Sequence, residues 1–295
     1  MGFDFSGSKE NKLLCIALII SVVALQVIAA KVYAAGNDDS NTKEIGAWGV
    51  DDYSGNPSYP PPNQYLYWAT EEAKGFYDKM VEKGFTPRFW YYNSSAWESD
   101  FEKQSVGGYD YVYADTCDFV YFAGHGWTDH IAFKANHDGD GSYPYKAYCS
   151  YGAAEVDWGD QDMEWIFIAA SSVLRETPTQ WGPAFHSPIT LHGIAGYHLG
   201  PDDSEHSSHT GERFVQLATA GWSIREAWEK ATKEYQPTNF YGAIYSVLAI
   251  YPGLPQYHYR DEHLPGVGDG MYPDPPAPGG ASIYLEYVKW QCYPP

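Results

Sequence analysis

Basic residues are scarce in this chain. Its 295 residues include 18 Lys and Arg against 38 Asp and Glu, a formal net charge of −20 at pH 7. A field of that sign repels phosphate backbones and anionic headgroups, which sets aside nucleic acid and acidic lipid as partners. It favours solubility, cations and basic partners instead. Cysteine is scarcer still, with four in all. Neither an H-E-x-x-H pair nor the cysteine spacing of a zinc site occurs, so no zinc motif is present.

What is present begins at the amino terminus. Lys9 and Lys12 precede an apolar run, Leu13 to Ala30, and small residues follow at Ala34 and Ala35. Residues 1–35 thus read as a secretory leader with a cleavage site. The run approaches membrane-spanning length, so an uncleaved anchor over residues 13–30 is the alternative. Either way the remainder is expected to be secreted or at the cell surface, with membrane contact only through that segment. After residue 34 there remain 15 basic and 36 acidic residues.

Cys117, Cys149 and Cys292 also remain, an odd number for an exported chain. Cys149 and Cys292 lie in Tyr/Pro-rich segments and are the expected disulfide pair. Cys117 heads an apolar run and is expected to pack as a small hydrophobe. Aromatic residues make up 17% of the chain, including 27 Tyr and 11 Trp. So many amphipathic rings suit an extracellular or binding surface.

Residues 36–64 are polar and Pro-rich, with one possible strand at Ile45 to Val50. A globular part is expected over 65–251, followed by a Pro/Gly-rich loop and a final strand over 252–295. Tyr65 to Lys83 carries Ala69, Ala73, Phe76, Met80 and Val81 on one helical face, and Gly84 follows as a stop. Thr86 to Tyr92 reads as a strand and "SAWESDFEK" as a short helix. Continuous apolar runs at Asp118–Ala123, Trp165–Ala170 and Ile189–Tyr197 read as central strands. Thr210–Ala220 and Ser223–Tyr235 read as helices, the second opened by a Ser223/Glu226 capping box. Ile244–Tyr251 and Ile283–Trp290 close the series as strands. Strands alternating with helices predict an α/β fold around a mainly parallel sheet.

In such sheets the site lies at the carboxyl ends of central strands. There the chain carries "VYFAGHG", ending in His125-Gly126, and "IFIAAS", ending in Ser171. An imidazole there works as acid or base near neutral pH. Gly126 lets its N–H approach a carbonyl oxygen as an oxyanion donor. A nucleophile on the neighbouring strand end completes an acyl-transfer site. A thiol suits that dyad, whereas a serine hydroxyl needs a better-oriented base, usually with a carboxylate behind it. Asp129, Asp157, Asp160 and Asp162 are open candidates for that carboxylate.

These two half-motifs resemble those of the caspase, legumain and gingipain clan. Together with "SAWESDF", "DWGDQDMEWIFIAASSVL", "WGPAFHSPITLHGIAGYHLG" and "GWSIREAW" they resemble successive blocks of an uncharacterised family of caspase-like domains. The resemblance spans about Ala69 to Tyr235. It implies a caspase-like three-layer sandwich, His125 as general acid/base, Ser171 at the nucleophile position, and backbone donors at Gly126 and Ser171. Members with Ala-Cys at the second motif contrast with Ala170-Ser171 here.

Two further constellations stand outside that pair. Asn136-x-Asp138-x-Asp140-Gly141 matches the first half of an oxygen-ligand calcium loop, but Ala147 stands where the bidentate Glu belongs. A polar Asp/Gly turn is the plainer reading of the same residues. "HLGPDDSEHSSHTGE" holds His198, Asp202, Asp203, Glu205, His206 and His209 and reads as an acidic loop flanking the cleft. Asn93-Ser94-Ser95 is an N-glycosylation sequon.

The expectation is therefore an exported pseudo-peptidase, or a peptidase-like hydrolase, with a His125/Ser171 site for a peptide or protein. The alternative is a non-catalytic extracellular binding or envelope protein using the same cleft, with calcium as the one possible cofactor.

Overall fold

Strands β3 (Phe119–Ala123) and β7 (Trp165–Ala169) form the centre of the sheet and pair in parallel, Ala123 opposite Ala169. Every residue of both strands is buried. Their odd-numbered members Phe119, Tyr121, Trp165 and Phe167 face one hydrophobic core, and Val120, Phe122, Ile166 and Ile168 face another. A strand buried on both faces reads as an unbroken apolar run, which is why these two are conspicuous in the sequence.

The computed structural model describes residues 43–137, 145–150, 154–175, 179–185, 191–251, 256–272, 274 and 282–293. The expected leader or anchor and the residues before 43 lie outside this set, as do Asp138 and Asp140. β1 (Glu44–Gly49) pairs in parallel with β3 and with β2 (Thr86–Tyr92), and β7 pairs in parallel with β8 (Gly193–Tyr197). β9 (Tyr241–Ile250) then runs antiparallel to β8. Beyond it lies β11 (Ser282–Gln291), paired with β9 over ten residues. The short β10 (Gln256–His258) extends the β8 side of β9. The result is a mixed α/β fold with a mainly parallel central sheet.

Helices α1 (Ala69–Glu82), α2 (Thr210–Ala218) and α3 (Ile224–Tyr235) cover one face. α1 presents Ala69, Ala73, Phe76 and Met80 to that core at helical spacing. It stops at Gly84, whose φ of +90° suits only a residue without a Cβ. α3 opens with the expected reciprocal cap, the Glu226 N–H donating to Ser223 Oγ at 3.3 Å and the Ser223 N–H to Glu226 Oε2 at 3.4 Å. Phe167, Phe214 and Trp228 meet in the middle of this layer at ring separations of 4.5–5.9 Å. Burying each such ring contributes roughly 1.5–3 kcal/mol.

The other face is covered differently. Turns of 3₁₀ helix between 93 and 116 lie over it, with a three-stranded antiparallel sheet of β4 (Gly126–Trp127), β5 (His130–Ala132) and β6 (Lys146–Tyr148). The helix expected at "SAWESDFEK" is instead two such turns, Asn93–Ser95 and Glu98–Asp100. Long-range bonds hold them: Asp100 Oδ2 accepts from Trp48 Nε1 at 2.8 Å, and the Phe101 carbonyl from Trp158 Nε1 at 2.9 Å. Helix α1 begins at Ala69 rather than Tyr65, because Tyr65 and Leu66 pair with the segment after β1. Tyr65 bridges to Asp52, and the Leu66 N–H donates to the Asp51 carbonyl at 2.8 Å, while Asp203 accepts from the N–H groups of Tyr67 and Trp68. No described helix is long and apolar enough to cross a membrane.

Candidate functional site

The parallel register of β3 and β7 places His125 and Ser171 side by side, each two residues past the matched pair Ala123 and Ala169. Two residues restore the same side of a strand, so both continue the face covered by α1. They line one small cleft of about 70 Å³ with Leu66, Trp68, Ala69 and Glu72. Gly124, Ala169, Pro201, Asp202 and Asp203 complete its wall. The "PDD" segment thus borders the cleft as its sequence suggests.

The His125 ring is fixed from three sides. It stacks on Tyr59 at 4.3 Å with the planes 2° apart, and tilts against Tyr53 at 4.6 Å. Its Nε2 lies 3.0 Å from the Asn63 carbonyl oxygen. A carbonyl only accepts, so Nε2 carries the proton and Nδ1 is the basic atom of the neutral ring. The His125 N–H donates to Tyr53 Oη at 2.6 Å, and that hydroxyl donates to the Ala132 carbonyl at 3.1 Å. Burial lowers the imidazole's pKa below its ordinary value, against smaller opposite pulls from the Asn63 bond and the Asp203 charge. The ring is therefore a neutral base at neutral pH.

Gly126 does not itself line the cleft, and only β-ladder geometry bears on its expected oxyanion role. The Ala132 N–H donates to the His125 carbonyl at 2.9 Å, and Gly126 pairs with Ile131 one step further along. Hydrogen-bonded and open pairs alternate in an antiparallel ladder, so the Gly126 N–H points away from β5. A Cβ at Gly126 would stand 2.9 Å from both Ala170 Cβ and the His130 carbonyl oxygen. Only glycine lets the two strand ends close up this far.

Ser171 is half-buried, and Ser172 after it turns the chain at φ +57°. Such a backbone costs a residue with a side chain about 1–2 kcal/mol. Gly200 abuts Ser171 so closely that a Cβ there would lie 2.7 Å from its Oγ. Among the described residues no hydrogen bond joins His125 to Ser171. None of the four carboxylates considered for a triad bonds His125. Asp129 instead binds His130 Nδ1 at 2.7 Å. The N–H of Asp160 donates to Asp115, and Asp162 lies ahead of β7 at the opposite edge of the sheet.

Two participants were not visible in the sequence. Asn63 acts through its main chain, which no residue type signals. Glu72 sits mid-helix among charged neighbours and reads as a surface acid, yet it is 5% exposed and lines the cleft. Burial pushes its carboxyl up to about 8, even though the Tyr121 hydroxyl donates to Oε1 at 2.8 Å. With Asp202 and Asp203 it makes an acidic wall, and among the described residues no Lys or Arg lines the cleft.

Other sequence signals resolve separately. Of the three candidate calcium ligands only Asn136 is described, and the next residue, His137, stacks on Trp97 at 4.3 Å. His206 and His209 pack against Tyr235 rather than converging on a metal. The Asn93 carboxamide oxygen accepts from the N–H groups of Asp51 and Asp52 at 2.8 and 3.0 Å, so the sequon residue also braces the loop after β1. The expected Cys149–Cys292 disulfide is not formed. Both thiols are free and buried, and Cys149 Sγ donates to the Gln180 carbonyl at 3.1 Å. Their segments read as loops but are packed, Cys292 directly after β11. Cys117 is buried as expected.

A family model described as a domain of unknown function, DUF6345, matches residues 47–287. The chain belongs to that family. The DUF6345 match begins within β1 and ends within β11, so the whole cleft lies inside it. No curated protein matches. Among solved structures, protein GSU0716 from Geobacter sulfurreducens is similar over 68% of this chain and 93% of its own. Its identity is 12% and its TM-score 0.38, too slight a likeness to bear on the DUF6345 fold.

Proposed function

We propose that this DUF6345 chain is an exported, caspase-like domain whose peptidase-type cleft has lost catalysis and binds peptides or proteins through basic side chains. The observation that carries this reading is the environment of His125. Its Nε2 is held by a main-chain carbonyl, and among the described residues no carboxylate hydrogen-bonds the ring. That is sufficient for a base beside a thiol, which ionises near neutral pH. It is a weak base for a serine hydroxyl, which needs its imidazolium stabilised as the proton arrives. With Ser171 in the nucleophile position, the site keeps its shape and loses its chemistry.

The ligand class follows from the acidic wall. Glu72, Asp202 and Asp203 face a cleft in which no described Lys or Arg stands. A guanidinium or ammonium group entering it restores the charge on Glu72 and gains a partly desolvated ion pair. Exposed Tyr65, Tyr67 and Trp127 neighbour the cleft residues and supply flat apolar contact around it. The caspase-like three-layer arrangement and export through residues 1–35 belong to the same proposal.

A serine hydrolase is the second reading. It is favoured by the neutral His125 with an open Nδ1, next to Ser171 on a strained turn.

The test compares wild type, Ser171→Cys and His125→Ala with Lys/Arg-bearing peptides and a fluorophosphonate probe. Binding by wild type without labelling, together with His125-dependent cleavage by Ser171→Cys, is the expected result. Wild-type labelling at Ser171 that requires His125 establishes the hydrolase. Absence of peptide binding, labelling and cleavage in all three proteins overturns both.

A further inference from the structure

At the edge of the sheet opposite the cleft, Glu44, Asp118 and Asp162 converge, with one carboxylate oxygen from each lying within 4.8 Å of the others. The topology explains the meeting. Glu44 opens β1, Asp118 immediately precedes β3, and Asp162 lies three residues before β7. β1, β3 and β7 are adjacent and parallel, so their amino ends stand together. The three residues are 4%, 0% and 8% exposed.

Two of these side chains are each half-engaged. Glu44 Oε1 accepts from Arg88 at 2.6 Å, while its buried Oε2 has no hydrogen-bond partner. Asp118 Oδ2 accepts from the Glu44 N–H at 2.5 Å, while its buried Oδ1 has none. Orphaned oxygens on buried carboxylates are costly, and native structures fill such positions with a donor, a proton or an ion. The charges point the same way: Arg88 pairs with Glu44, and like-charged carboxylates crowded at one point repel one another. The donated bonds on Oε1 and Oδ2 orient the open oxygens, as outer hydrogen bonds orient metal ligands.

We propose that Glu44, Asp118 and Asp162 form a binding site for a hard divalent cation of the calcium or magnesium class. The donor set is all oxygen, which selects hard ions over zinc or copper. Calcium–oxygen contacts of about 2.3–2.6 Å let one ion reach oxygens up to roughly 4.6–5.2 Å apart, so three oxygens all within 4.8 Å of one another are compatible with a shared ion. The ion neutralises the cluster and ties together the amino ends of three central strands, the scaffold whose other ends carry His125 and Ser171. None of these three residues belongs to the Asn136-Asp138-Asp140 sequence motif.

The experiment uses the full chain after EDTA treatment and dialysis. Bound Mn²⁺ is counted by electron paramagnetic resonance, and thermal unfolding is recorded with and without CaCl₂ and MgCl₂. Wild type is expected to bind Mn²⁺ with half-saturation at or below about 1 mM and to melt higher with added ion. Asp118→Asn and Asp162→Asn each remove one equivalent or weaken it at least tenfold, whereas Asp140→Asn leaves that equivalent in place. The proposal is overturned if wild type binds no Mn²⁺ and its melting ignores EDTA and added ion. It is equally overturned if Asp140→Asn abolishes all binding while Asp118→Asn keeps it. A more stable Asp118→Asn with undiminished ion response also sinks it, because relief of repulsion then explains the cluster. Should Asp118→Asn fail to fold, Asp162→Asn and the wild-type count decide.

Discussion

The main-chain oxygen of Asn63 sits 3.0 Å from Nε2 of His125. That one contact fixes the tautomer, leaves Nδ1 as the basic atom, and occupies the ring nitrogen that a triad carboxylate would need. Burial against Tyr53 and Tyr59 then holds the ring neutral. In a pH titration followed by NMR, His125 is expected to show the Nε2–H tautomer and a pKa below 6.5. Tyr59→Ala opens the ring to water and moves that pKa upward. The folded value lies below the unfolded one, so this group's contribution to stability is present above about 6.5 and is lost as pH falls through the folded pKa. A His125 titrating above 6.5 refutes the assignment.

Gly200 controls the space around Ser171. A methyl group there meets Ser171 Oγ at 2.7 Å and its Cα at 3.3 Å. Gly200→Ala is therefore expected to displace the Ser171 side chain from the cleft. Such overpacking typically costs about 1–3 kcal/mol. Placed in the Ser171→Cys background, it should abolish any cleavage that background acquires and weaken peptide binding about tenfold or more. Unchanged kinetics would show that the residue-171 side chain is not held against Gly200 during the reaction.

The sequence exposes those parts of this molecule that depend on residue type and spacing. Phe119–Ala123 and Trp165–Ala169 stand out because both faces of those strands are buried. Ser223 and Glu226 mark the start of α3 because a capping box is local. What escapes notice depends on distant partners. The turns around Asp100 are set by Trp48, 52 residues away in the chain. β10 sits in a stretch whose Pro and Gly content suggests only loop, and pairing with β9 makes it a strand. At the cleft, His125 and Ser171 are legible as strand ends, while Asn63 contributes a carbonyl common to all residues. Glu72 is concealed by its charged neighbours on α1, since "TEEAK" reads as a solvated face until Tyr121 and the cleft are seen against it.

The cysteines offer a test that needs no substitution. Cys117, Cys149 and Cys292 are free and buried, and burial pushes the pKa of each thiol up. Reducing agent is expected to leave the melting temperature unchanged within about a degree, since none of the three described cysteines closes a loop by a disulfide. Under native conditions these three thiols should resist a thiol reagent, and all three should react in denaturant. Cys15 reacts as well wherever the leader is retained. A drop of several degrees on reduction would restore the disulfide.

His192 gives the fold an alkaline limit. Its Nδ1 lies 2.9 Å from Glu262 Oε1 and its Nε2 3.2 Å from Asp274 Oδ1, an arrangement in which both nitrogens donate only as imidazolium. Complete burial works against the charge. The attraction and hydrogen bonds of the two carboxylates outweigh it and raise the pKa to about 9. Glu262 is held in turn by Trp165 Nε1 and by the Tyr272 N–H, so it cannot turn away to water. The folded pKa lies above the unfolded value of about 6.5. The stabilisation is then fully present below pH 6.5 and is lost as pH rises through about 9. A shift of this size corresponds to roughly 3 kcal/mol. Denaturant unfolding of wild type should weaken by roughly that amount between pH 6.5 and 9.5, while His192→Phe starts lower and stays flat across the interval. Parallel profiles for the two proteins would mean that His192 is neutral between its carboxylates, and the alkaline limit would then belong to another group.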